Sequence, residues 1–351
     1  MTRRGWLNRG GIAAAFVAAC GLLSASAAVA NPPGLDVRLS VPAPVLQGDV
    51  DVRLTVTLTN TTRHPIQLLK WQLPDDEIES ALFRIKREDG STVRYEGPIV
   101  KRAAPQAQDH VRIEAGATLS YTVELTASYD LSRSGRYSIE YASPGGHGAQ
   151  ATLLRSEPIY LWLEGRNGKG SAPPAPPVGS AQPIYSSCSA SQQSDLTAAT
   201  SQAVSYSSAV GSYLAGTPSG TPRYIKWFGS YSSTGWGTAK SHFSAIHSAF
   251  TTQNLAFDCK CKKPSTYAYV YANQPYKIYL CGAFWKAPLG GTDSRGGTLI
   301  HEMSHFTVVA STDDWAYGQA AASNLAATDP AKALDNADSH EYFAENTPAL
   351  D

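Results

Sequence analysis

The sequence predicts two domains of different class: an N-terminal all-β sandwich of immunoglobulin-like type and a C-terminal α+β domain that is mainly helical. Three observations predict it. Short runs that alternate apolar and polar residues fill positions 35 to 164. A Pro/Gly-rich stretch with no apolar period follows, from Gly165 to Pro183. Beyond Tyr185 come long Pro-free stretches with loosely helical spacing. At 351 residues the chain is also longer than one core usually sustains.

Residues 1–30 read as an export signal. Arg3, Arg4 and Arg9 give a positive start, an apolar stretch runs from Ile12 to Leu23, and Ala28-Val29-Ala30 offers a small-residue cleavage site before Asn31. The apolar run is too short and too rich in Ser and Ala at its end for a membrane span, so the mature chain is expected outside the membrane, as a secreted protein. Two variants of the export route carry their own signals. Thr2-Arg3-Arg4-Gly5-Trp6-Leu7 loosely matches a twin-arginine leader, and Val17-Ala18-Ala19-Cys20 matches a lipoprotein site that leaves Cys20 lipidated at a periplasmic or outer surface.

Residues 31–164 form the expected β domain. Asp51 to Leu58, Leu82 to Ile85, Tyr121 to Leu125, Arg136 to Tyr141 and Ile159 to Leu163 all follow a period of two. Asp89-Gly90, Ala115-Gly116 and Ser134-Gly135 supply turns between them. Seven or eight such strands suggest a two-sheet sandwich. The segment Asp130 to Tyr137 has the spacing of a tyrosine corner and equally that of an ordinary hairpin.

Residues 165–183 read as an exposed, cleavable linker. Residues 184–351 then alternate helix and sheet: a helix over Ser189–Ala215, another over Thr238–Gln253, a hairpin through Tyr267–Tyr271 and Lys277–Leu280, and helical pieces from about Asp293 onward. With the leader removed, Cys188, Cys259, Cys261 and Cys281 remain, which suits two disulfides in an exported chain. A Cys259–Cys261 bridge is the least plausible pairing because it would close across one residue. A four-cysteine zinc site competes, but the C-x-x-C spacing is lacking. With 29 basic and 29 acidic residues, the chain has no cationic excess and is not expected to bind nucleic acid.

The chemistry concentrates in Gly297-Thr298-Leu299-Ile300-His301-Glu302-Met303-Ser304-His305, where H-E-x-x-H lies in a helix-like stretch. A spacing of four puts both imidazoles on one helical face, one turn apart, where they can grip one metal. Glu302 then sits beside the first ligand, placed to act as a general base on water. A catalytic zinc needs a third protein ligand. No third histidine follows at a useful distance, and the nearest donors are Asp313 and Asp314. Tyr317 could serve an oxyanion or simply fill the core, and spacing does not choose between them. Gly318 permits a tight turn next to it.

Continuing through Ser311-Thr312-Asp313-Asp314-Trp315-Ala316-Tyr317-Gly318, the sequence resembles the aspzincin pattern H-E-x-x-H…G-T-x-D-x-x-Y-G, with Ser311 in place of the usual glycine. Trp227-Phe228-Gly229-Ser230-Tyr231, Phe257-Asp258-Cys259-x-Cys261, Tyr279 to Pro288 and His340-Glu341-Tyr342-Phe343 extend the resemblance to the peptidyl-Lys metalloendopeptidases over nearly all of 184–351. That resemblance implies a zincin-type metalloprotease domain with one Zn2+ held by His301, His305 and Asp314. It implies Glu302 as base, Tyr317 as oxyanion donor, and disulfides Cys188–Cys259 and Cys261–Cys281. It also implies cleavage on the amino side of lysine, with the lysine of a protein or peptide substrate held by Asp338 and Glu341 and flanked by Tyr267.

By residue type alone, Asp338 and Glu341 would read as a solvated helix face. Yet from His301 to the C-terminus there are nine acidic residues and one basic residue, Lys332, a balance that favours a cationic side chain. The N-terminal domain lies outside the resemblance. It is expected to be either a propeptide that binds and blocks the cleft or a retained binding module. Lys169 in the linker makes Gly168–Lys169 a candidate self-cleavage bond.

Overall fold

In the computed structural model, the described residues are 1, 31, 33–74, 78–143, 154–167 and 183–350. The export signal with Cys20, most of the linker and the Gly168–Lys169 bond lie outside them.

The N-terminal region is built of strands β1 (Leu35–Ser40), β2 (Val45–Gln47), β3 (Arg53–Asn60), β4 (Ile66–Leu69), β5 (Phe83–Arg87), β6 (Thr92–Val93), β7 (Pro98–Arg102), β8 (His110–Ile113), β9 (Thr118–Glu124), β10 (Gly135–Ser143), β11 (Leu154–Arg155) and β12 (Ile159–Glu164). One sheet has the order β1-β3-β9, and a second has the order β2-β12-β10-β5-β6 with β11 beside β10. The alternation seen in the sequence turns one face of each strand inward: Leu54, Val56 and Leu58 of β3 share a core with Tyr137, Ile139 and Tyr141 of β10. Tyr137 donates from its hydroxyl to the Arg133 carbonyl at 2.8 Å, the bond of a tyrosine corner. β4 and β8 form a separate antiparallel pair.

The C-terminal region contains β13 (Ile184–Ser186), α1 (Ala190–Leu214), α2 (Pro222–Phe228), α3 (Ser233–Thr252), β14 (Ala256–Asp258), β15 (Thr266–Tyr271), β16 (Lys277–Leu280), α4 (Arg295–His305), α5 (Gln319–Thr328), α6 (Pro330–Leu334) and α7 (Ala337–Glu345). α3 begins five residues before the predicted start at Thr238, because the Ser232 hydroxyl caps it by accepting from Gly235 N–H at 3.0 Å. Its own core packs Trp227, Phe243, Phe257, Ile300, Met303 and Phe343. Cys188–Cys259 and Cys261–Cys281 are both bridged, tying the start of α1 and the β15–β16 region to the end of β14. On chain-entropy grounds the first, which spans 71 residues, contributes about 4 kcal/mol of stability.

One strand departs from the predicted division. β7 belongs by sequence to the N-terminal region, yet it pairs antiparallel with β15 and completes the sheet β13-β14-β16-β15-β7. Lys101 lies opposite Ala268 and Val100 opposite Tyr269, with a shift of register at Tyr267.

Candidate active site

α4 carries the two histidines. Ser294 caps it, accepting from Gly297 N–H at 2.9 Å, and Glu345 at the end of α7 accepts from Ser294 N–H at 2.8 Å and from its hydroxyl at 2.7 Å. A carboxylate at a helix N-terminus is favoured by the helix dipole. Gly297 lets α4 and α7 approach so closely, since a Cβ there would stand 2.0 Å from Glu345 Oε1 and 3.0 Å from Glu341 Cγ. Asp338 and Glu341 on α7 are thereby brought beside His301.

The helix ends at His305, and the chain reverses through Ser311, whose φ of 57° is left-handed. Thr312 then returns to α4: its N–H donates to the Ser304 carbonyl at 3.1 Å, and its carbonyl lies 2.8 Å from His305 Nδ1. Asn336 pins the next stretch by accepting from the N–H groups of Trp315 and Ala316 at 3.0 and 2.9 Å. Asp314 consequently faces both imidazoles, with Oδ1 3.3 Å from His301 Nε2 and 3.4 Å from His305 Nε2. Asp313, the competing donor, is turned away, its backbone bridging to Asn336.

His301 Nε2, His305 Nε2 and Asp314 Oδ1 are buried, converge, and have no hydrogen-bond partner among the described residues. Orphaned buried polar atoms cost free energy unless something satisfies them. Two imidazoles and a carboxylate are the donor set of a catalytic zinc with an open fourth position. The residues fit that metal. His305 Nδ1 against the Thr312 carbonyl leaves Nε2 with its lone pair toward the centre, and His301 Nδ1 lies 2.8 Å from Asp338 Oδ1. Burial pulls the His305 imidazole down to about 4, which keeps it neutral and able to ligate.

Glu302 is fully buried, and neither carboxyl oxygen has a hydrogen-bond partner among the described residues. Burial raises it to about 8. Tyr317 donates to Asp314 Oδ2 at 2.7 Å and its hydroxyl also lies 3.1 Å from the Val100 carbonyl oxygen. Gly318, at φ 83°, turns its N–H to Asp338 Oδ2 at 2.6 Å.

Asp338 and Glu341 are not a solvated face: they are 1% and 0% exposed. Between them sits the ammonium of Lys101 from β7, 3.0 Å from Asp338 Oδ1 and 2.5 Å from Glu341 Oε2, itself 2% exposed. Burial opposes its charge, but Asp338 and Glu341 outweigh that and hold Lys101 well above the usual lysine range. Burial would raise Asp338 too, yet Lys101 and His301 hold it well below the carboxylate range. For Glu341, burial wins and pushes the carboxyl up, with Lys101 offsetting part. The rings of Tyr267 and Tyr342 flank the ammonium at 5.6 and 5.9 Å. Tyr342 is held by its hydroxyl, which donates to Asp293 Oδ1 at 2.7 Å.

All the predicted site residues therefore come together, and Val100, Lys101, Asp293 and Tyr342 join them. The N-terminal region touches the C-terminal region at two further places. Arg102 pairs with Glu79, which also meets Lys263, and Arg94 donates to the Ser311 hydroxyl at 2.7 Å.

With this geometry in hand, comparison with known proteins is direct. The family described as lysine-specific metallo-endopeptidase matches residues 213–345. An extracellular protease of Aeromonas hydrophila is 46% identical over 90% of this chain and 93% of its own length. A peptidyl-Lys metalloendopeptidase of Grifola frondosa is 39% identical over 93% of this chain and 97% of its own. The solved zinc peptidase from Grifola frondosa is 53% identical and covers 47% of this chain and all of its own, with a TM-score of 0.46. The chain belongs to the aspzincin family of metallo-endopeptidases, and is a zinc peptidase. No helix among the described residues is long and apolar enough to cross a membrane.

Proposed function

We propose that the protein is a secreted endopeptidase that hydrolyses peptide bonds on the amino side of lysine, made with an N-terminal domain that occupies its own cleft. One observation carries this reading: the Lys101 ammonium lies between Asp338 and Glu341, with Tyr267 and Tyr342 about its head. The chain supplies its own example of the side chain the pocket takes.

In this reading His301, His305 and Asp314 hold the zinc. When bound, the metal supplies Lewis acidity to the scissile carbonyl and makes water more acidic. Glu302 takes a proton from the attacking water and delivers it to the leaving amine, a task suited to a carboxyl whose buried site raises it toward neutral pH. Tyr317 donates its hydroxyl to the carbonyl oxygen as negative charge develops there. Asp338 and Glu341 bind the lysine of the residue after the cut. Arginine is the poorer substrate because its broad planar head needs other acceptor positions.

Residues 1–30 are assigned as the export signal, 31–164 as the inhibitory domain, 165–183 as the linker and 184–351 as the protease. The sheet orders β1-β3-β9 and β2-β12-β10-β5-β6 support an immunoglobulin-like sandwich for the second of these.

The test is a digest of a denatured protein by the processed enzyme, with and without a zinc chelator, mapped by mass spectrometry. Chelator-sensitive cuts confined to the amino side of lysine are expected. Chelator-sensitive cuts spread over other residues would keep the metal site and discard the pocket assignment.

A further inference from the structure

We infer that Val100–Lys101 is the first peptide bond this enzyme hydrolyses, and that it does so within its own chain. The inference rests on the lysine-directed reading above. A side chain in the pocket fixes the register of everything attached to it. With Lys101 seated, the bond on its amino side is Val100–Lys101, and the carbonyl of that bond lies 3.1 Å from the Tyr317 hydroxyl. Arg102 Nη1 stands 3.3 Å from the same oxygen, a second donor on the group that must accept charge.

The backbone is also held as a substrate's should be. β7 runs extended and antiparallel along β15, which fixes both the direction of the chain and the plane of the bond. The register shift at Tyr267 brings that ring toward the lysine head. Glu302 is buried, with both oxygens unpartnered among the described residues, next in sequence to His301. Hydrolysis adds one solvent water across the C–N bond: its oxygen joins the Val100 carbonyl carbon, and Glu302 passes the proton to the Lys101 nitrogen as that bond breaks. The products are a Val100 carboxylate and a Lys101 amine.

The cut has an unusual result, because β7 lies in the middle of the N-terminal domain. The pairs β3 with β9, β5 with β10, and β2 with β12 each join a strand before the bond to one after it. Both disulfides lie beyond residue 187. The nicked domain therefore stays assembled in native buffer and separates into two pieces only on denaturation. Nicking also puts a new charged amine and a new carboxylate into a buried cleft, which weakens the hold of β7.

The experiment uses the full chain, prepared metal-free and then given zinc at two protein concentrations tenfold apart. Intact-mass spectrometry under denaturing conditions follows the products while a lysine-containing peptide is present as an external substrate. Two fragments are expected, one ending at Val100 and one starting at Lys101, with the same half-time at both concentrations. A half-time that lengthens on dilution overturns cutting within the chain. External cutting before lysine while Val100–Lys101 stays intact overturns this inference and leaves the specificity standing. External cutting only elsewhere overturns the specificity and this inference with it.

A readout that needs no metal is acetylation of the metal-free chain. Lys101 should react at least about tenfold more slowly than Lys332, as a seated buried group does. Equal rates would mean that β7 is not in the cleft, and the inference falls.

Discussion

Two cation sites share one imidazole in this molecule, and they are built on opposite terms. On the Nε2 side of His301, the convergent atoms of His301, His305 and Asp314 find no partner within the protein. On its Nδ1 side, Asp338 and Glu341 are neutralised by Lys101 of the same chain. Both sites are buried and carry carboxylates. The first is left to an ion from outside, while the second is closed by a covalently attached cation. A buried pair of carboxylates is costly to assemble without a counter-charge, and Lys101 supplies that charge within the chain.

The comparison can be broken at several points. The largest effect is expected from Glu302→Gln, which leaves both cation sites in place and removes the carboxylate proposed above as the base. Its kcat on a denatured protein should fall about 10²–10⁴-fold, with zinc content by elemental analysis unchanged. Lys101→Ala attacks the filled site alone. Removing one partner of a buried ion pair should cost the full chain about 3–5 kcal/mol in a denaturant unfolding experiment. A loss below about 1 kcal/mol would mean that water reaches the carboxylates, as at a surface pair.

Asp338→Asn touches both sites through the shared imidazole. It should lower kcat/KM for a lysine peptide by about 2 kcal/mol or more, roughly 30-fold. It should also weaken zinc about 10–100-fold, as loss of a group orienting a ligand does. Titrating each mutant with zinc separates the two effects.

A smaller effect belongs to His340, which is buried on α7 between Asp338 and Glu341 in sequence. Burial holds it down to about 3, against an ordinary value of 6.5. Between those values the unfolded chain binds a proton that the folded chain refuses. Stability is therefore fully present above about 6.5 and is lost as pH falls toward 3. His340→Gln should flatten that acid limb in a plot of Tm against pH. The smallest change is Ser311→Gly, which relieves a left-handed residue in the loop that carries Asp314 and should gain up to about 1 kcal/mol.

How much of this was legible depended on how far apart the partners lie in sequence. The metal trio, Glu302 and Tyr317 fall within seventeen residues, and helical spacing plus one chain reversal is enough to assemble them. Strands with one wet face, such as β3 and β10, were readable because burial follows their alternation. The lysine pocket was not readable from residue type. Asp338 and Glu341 at a spacing of three look like a solvated face until α4 is packed against them. Lys101 left less signal still. Pro98-Ile99-Val100-Lys101-Arg102 lacks clean alternation, and its counter-charges lie 237 and 240 residues away. No local pattern encodes a strand whose pairing partner belongs to the other domain.

The position of β7 also bears on solubility. Thr266-Tyr267-Ala268-Tyr269-Val270-Tyr271 is a six-residue strand with no charge and no proline, rich in aromatic and β-branched residues, the composition of an aggregation-prone segment. With β16 on one side, its other edge is covered by β7 alone. While the N-terminal domain is in place, that edge cannot recruit a strand from a neighbouring molecule. In the reading proposed above, departure of that domain uncovers the edge to extended peptide backbone, so that the ability to hold unfolded chains and the tendency to self-associate arise in a single step.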